Sequence, residues 1–206
     1  MEVNSQIKFI PRHTISKKKR MSSSIEKSLL TAFAALAYYL TFKVNQALDP
    51  WFLYGQGITL LFLPAGIKHV SILLAGRWGA LGSFIGLLFM VPNFWPHLGL
   101  GLAVPYAAIS TLATWVGIAA GLHWLGVDRN LKNLKLIHLP LIDLLTTALH
   151  ALVTNGFFVV SGLKKIDEWG VNTLAMMFGD FLGSLSMMLV LFLVLKIRPG
   201  YAGYRL

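Results

Sequence analysis

Between about residue 28 and residue 196, long apolar runs alternate with short polar or Gly/Pro-marked breaks. Six runs stand out, at about 28–48, 58–75, 78–91, 98–125, 139–161 and 171–196, and each reads as an apolar helix. The first is expected to end before Asp49-Pro50, because proline disfavours helical geometry in the residue before it. Trp51 and Tyr54 follow, as interfacial aromatics would. A tight basic turn, Gly76-Arg77-Trp78-Gly79, joins the second run to the third. The third is short for a membrane crossing of about 20 residues unless it tilts or continues through Pro92. Pro92-Asn93-Phe94-Trp95-Pro96 reads as an aromatic interfacial turn, and Pro105 as a kink in the fourth helix. A polar link spans 126–138, and a loop with Lys164, Lys165, Asp167, Glu168 and Trp169 precedes the last run.

Composition turns these helices into membrane helices. The 206 residues are 56% hydrophobic and 13% charged, against about 25% charged in soluble domains. Mean hydropathy is +0.67. The lipid bilayer is the solvent such a surface calls for. The expected fold is all-α: a polytopic integral membrane helical bundle of about six transmembrane helices. Residues 1–26 read as a disordered basic tail, 27–197 as a single six-helix domain, and 198–206 as a short tail. Ala35-Leu36-Ala37 resembles a signal-peptide cleavage site, but the apolar run before it is too short, so an uncleaved first helix is expected. With no cysteine, disulfides and thiolate-based catalysis or metal ligation are excluded.

The net charge of +10 raises the question of nucleic acid. The basic residues cluster in tails and connections, which fits membrane topology instead, so no nucleic-acid partner is expected. Lys17 to Arg20 reads as a cytoplasmic anchor against anionic lipid. Six crossings put both termini on one side, and that side then holds 14 of the 18 lysines and arginines. The positive-inside rule makes it the cytoplasm, in a multi-pass protein of the inner (plasma) membrane.

Glycines recur four apart: Gly82 and Gly86, Gly117 and Gly121, Gly179 and Gly183. In lipid such pairs let backbones approach closely, within the bundle or across a homodimer. Ionisable residues inside the apolar runs are costly and call for a partner or a purpose. They are Lys68, His69, Asp143, His150 and Asp180, with Asn155 as a neutral companion. At about 1.5 Å per residue, Lys68 lies roughly 15 Å and Asp180 roughly 13 Å from the outer ends of their helices. His150 is near the middle of its own helix. A Lys68–Asp180 pair with His150 nearby is therefore the expected buried polar centre, either a register-fixing ion pair or a ligand site. Asp143 is expected to meet Arg77 or Lys135, and His69 to point away from Lys68, toward the third helix. No H-E-x-x-H, G-x-S-x-G or P-loop motif occurs. No enzyme, metal or cofactor is expected.

Several motifs resemble the type 1 membrane-associated sensor domain of bacterial signalling proteins. They are, in order, LAYYLTFKVNQAL, Pro64-Ala65-Gly66, Gly76-Arg77-Trp78, the Gly82–Gly86 helix, and Phe178-Gly179-Asp180-Phe181-Leu182-Gly183. The resemblance covers about Leu29 to Lys196. It implies a sensory module that signals through a kinase or cyclase partner, here as a stand-alone unit. The chain departs from the family pattern at Leu63, where a Trp is usual, and at Lys68-His69, where small apolar residues are usual. The family domain is also longer. A second class fits the size: the substrate-binding membrane subunit of an energy-coupling-factor transporter, working with ATPase subunits. The Ala-x-x-x-Ala docking pair of that class occurs here only at Ala103 and Ala107, in the fourth helix.

Overall fold

A computed structural model describes residues 23–55, 58–94 and 98–197. The chain is mostly helical, with α1 (Ser23–Phe52), α2 (Leu63–Ala75), α3 (Arg77–Phe94), α4 (Leu100–Trp124), α5 (His138–Val160) and α6 (Trp169–Ile197). Helices α4 and α5 and the segment Ile166–Val190 are each long and apolar enough to cross a membrane. Helix α2 and the stretch Arg77–Pro92 are apolar but shorter.

Two boundaries differ from expectation. Helix α1 starts at Ser23, inside the expected tail, and runs through Asp49-Pro50 to Phe52. Proline removes only one hydrogen bond so close to a helix end. The Asn45 side chain donates to Asp49 Oδ1 at 3.1 Å and braces that last turn. The rest of the basic tail and the 198–206 tail lie outside the described residues, as does the Trp95-Pro96 end of the aromatic turn.

The second difference matters more. The second apolar run is not one helix. Ile58–Thr59 (β2) pairs antiparallel with Leu53–Gly55 (β1), and helix begins only at Leu63. Pro64 occupies the first turn, where its missing N–H and fixed φ cost little. The 13 residues of α2 span about 20 Å at about 1.5 Å each, less than the ~30 Å hydrocarbon core. The non-helical residues 58–62 supply about 16 Å more.

Those residues are sewn into the bundle. Phe62 N donates to Gly179 O at 3.0 Å, and Leu60 N to Phe52 O at 2.8 Å. Leu63 N donates to the buried Asn45 side chain at 2.8 Å. Every such bond replaces one that lipid cannot offer. Gly179 and Gly183 make the approach possible, since a Cβ on them would lie 1.9 Å from Thr59 O and 2.0 Å from Phe62 O.

Helix contacts give the order of packing. Gly82 and Gly86 of α3 rest on Thr31 to Tyr38 of α1, so these helices run parallel. Gly117 and Gly121 of α4 meet Thr146 and Ile142 of α5, which runs antiparallel. All three glycine pairs thus face neighbours inside the chain. Gly76, at φ +55°, turns α2 into α3 in a single residue. The short α2 touches α1, α3, α4 and α6, and reaches α5 through side chains. Tyr38, Phe42, Leu87, Met90, Ala107, Ala151 and Phe158 form the main apolar core around it.

The surface is inverted relative to a water-soluble protein. Lys68 is 1% exposed, whereas Leu100 is 80% and Val160 89% exposed. Polar groups inside and large apolar groups outside suit a hydrocarbon surround.

Candidate functional site

Four helices deliver one side chain each to a buried polar network. Lys68 sits on α2, Ser110 on α4, His150 on α5 and Asp180 on α6. All four are buried. Lys68 Nζ donates to Ser110 Oγ at 3.1 Å and lies 3.3 Å from His150 Nε2. Ser110 Oγ is 2.8 Å from the same Nε2. On the other side of the ring, His150 Nδ1 is 2.6 Å from Asp180 Oδ2.

One proton arrangement satisfies every contact. Nδ1 carries the imidazole proton and donates to Asp180, and the one lone pair on Nε2 accepts from Ser110, with the more distant Lys68 ammonium sharing it while donating to Ser110 Oγ. The ammonium and the carboxylate then balance in charge through a neutral ring. Charges removed from water need this compensation. A chain of hydrogen bonds in a low-dielectric site also polarises its members together.

Lys68, His150 and Asp180 lie together, but not as expected. Lys68 and Asp180 do not pair directly; His150 stands between them. Helices α2 and α6 pack directly on one another, and the imidazole of α5 reaches in between the Lys68 and Asp180 side chains. Asn155 belongs elsewhere. Its Nδ2 donates to Ala151 O at 3.0 Å and lies 3.5 Å from Met176 Sδ, while its Oδ1 has no hydrogen-bond partner among the described residues.

A second polar cluster lies beside the first. His69 Nδ1 contacts Asp143 Oδ1 and is 3.1 Å from Ser184 Oγ. Asp143 thus meets neither Arg77 nor Lys135, and His69 turns toward α5 and α6 rather than α3. Adjacent residues on a helix diverge by about 100°, so Lys68 and His69 serve separate clusters. Asp143 and His150 stand two turns apart on one face of α5, and Asp180 and Ser184 one turn apart on α6. The two clusters are therefore stacked along the same seam.

The remaining motif residues are structural in place. Pro64 opens α2, Gly66 faces Met187 and Ser184 of α6, and Gly76 makes the turn. Arg77 lies over the Trp78 ring at 5.0 Å, and Lys27 reaches the same ring at 5.7 Å. Among the described residues, no group of three or more His, Asp or Glu could hold a metal ion. Ala103 and Ala107 are both buried in the bundle.

Ser110, Ser184 and Asn45 carry essential contacts without any sequence signal beyond a small polar side chain in an apolar run. Compared with protein-family models, with curated proteins and with solved structures, the chain matches none.

Proposed function

We propose that the chain is a six-crossing module of the plasma membrane with cytoplasmic termini, which senses a small ligand or a membrane state and acts through a partner protein. The observation that carries this reading is the Lys68–Ser110–His150–Asp180 network. A proton gained or lost at any member changes hydrogen bonds on four helices at once. That is the form a local switch with a bundle-wide readout takes. The parallel and antiparallel helix pairs and the inverted surface support six crossings, with residues 58–62 and α2 together forming the second. The order of the Pro-x-Gly, Gly-Arg-Trp and Gly-Asp-x-x-Gly motifs supports the sensor class. The transport alternative loses support from the burial of Ala103 and Ala107, which offer no docking face.

Co-purification in mild detergent tests the reading. The expected partner is a kinase or a cyclic-dinucleotide synthase whose output changes when Lys68→Met is introduced into the sensor. An ATPase pair carrying a bound small molecule overturns it in favour of transport. A Lys68→Met chain with unchanged folding and unchanged output removes the network from the mechanism.

A further inference from the structure

A cavity of about 780 Å³ opens where α2, α5, α6 and the 126–138 link meet. Its walls are apolar, among them Val70 and Leu73 of α2, Ile118 of α4, Leu134 of the link, and Leu185 and Met188 of α6. Its volume falls within the roughly 300–1,000 Å³ of small-molecule sites. The polar side chains among its described lining are His69, Asp143 and Thr146. Thr146 Oγ1 is already committed to Ile142 O at 2.7 Å.

His69 and Asp143 are not fully committed. Their mutual contact and the Ser184 contact use His69 Nδ1 and Asp143 Oδ1. Asp143 Oδ2 is a buried atom with no hydrogen-bond partner among the described residues, and the contacts of His69 run through Nδ1, leaving its Nε2 unused. Both side chains are more than nine-tenths buried. A buried polar atom left unpaired is costly, and an apolar cavity lined by its residue and by His69 is where a ligand's polar end would repay that cost.

We propose that this cavity binds a single-chain amphiphile with a hydroxyl head, drawn from the bilayer. The hydroxyl meets His69 Nε2 and Asp143 Oδ2, and the apolar chain lies along Leu73, Ile118 and Leu185. A hydroxyl both donates and accepts, so it serves the pair whichever atom holds the proton. A hydrocarbon leaves both atoms unpaired. An anionic head meets the Asp143 carboxylate at close range. Leu74 and Leu136, exposed at the rim, give the chain an apolar way in from the lipid side. The site is separate from the Lys68 network and stands whether or not the chain signals.

The test is binding of radiolabelled 1-tetradecanol to the full chain in phosphatidylcholine nanodiscs. Saturable binding is expected, with tetradecane and myristate competing at least about tenfold less well, as the loss of a hydrogen bond to a charged group implies. Asp143→Asn and His69→Phe should each weaken binding by about the same factor. Leu185→Trp, which fills the cavity without touching either polar residue, should abolish it and keeps the test open if a polar variant fails to fold. Absence of saturable binding, equal competition by tetradecane, stronger competition by myristate, or full binding by Leu185→Trp each overturns the proposal.

Discussion

Lys164 lies half-buried in the turn between α5 and α6, outside the long apolar segments, with its Nζ 5.3 Å from the Phe158 ring centre. Burial lowers its amine from the ordinary 10.5 to about 8, partly opposed by the Glu168 carboxylate. The folded state therefore holds this proton less tightly than the unfolded chain does. Stability rises with pH between about 8 and about 10.5, and is lower below that window. The gain is well under the full value for a buried amine, because solvent still screens the group. Acylation by acetic anhydride, followed residue by residue in a mass spectrometer, should give Lys164 a midpoint near pH 8; a midpoint near 10.5 would contradict the burial argument. At this scale the sequence was legible where chemistry is rare. Lys68, His150 and Asp180 stand out because few ionisable groups interrupt these runs, and distance from a helix end estimates their depth. Asp143 was misassigned because depth says nothing of azimuth: a carboxylate one turn into a helix has basic candidates all round it. Ser110 was invisible because a serine in an apolar helix gives no sign of which neighbour it faces.

The break before α2 is the element on which the packing depends. Residues 58–62 fit only because α6 presents Gly179 and Gly183 to their carbonyls. Gly183→Ala should cost about 1–3 kcal/mol or more, since the new Cβ meets backbone that cannot rotate away. Gly101→Ala in α4, where a Cβ meets nothing within 4 Å, should be neutral or slightly stabilising in a helix. Thermal unfolding of the two variants in one detergent checks the contrast, and equal midpoints would refute it. Pro64 announced the start of a helix, and Pro-x-Gly was read as a motif. The break itself was hidden, because Ile58-Thr59-Leu60-Leu61-Phe62 continues the apolar run and apolarity is the same for a helix and for an extended segment buried on all sides. Its hydrogen-bond partners, Asn45 and Gly179, are far away in sequence, where local pattern carries no information.

For the whole molecule, helix number was readable because apolar runs of this length have few other uses. Three of the described helical segments are long and apolar enough to cross a membrane. The lack of cysteine makes orientation simple to test, since any single introduced thiol reports without background. Asn130→Cys lies in the α4–α5 link and Asp167→Cys in the α5–α6 turn. In intact spheroplasts a membrane-impermeant maleimide should label Asp167→Cys, and label Asn130→Cys only after permeabilisation. Labelling of both from outside would mean that α5 does not cross, and the reverse pattern would invert the topology.

The bond from Phe62 N to Gly179 O also sets an order in time. Phe62 leaves the ribosome more than a hundred residues ahead of its acceptor. At about 5–20 residues per second, the wait is about 6–23 s. Throughout that interval the backbone of residues 58–62 lacks the partner that Gly179 later supplies. The start of the second helix thus gains its full set of partners only once α6 has been made.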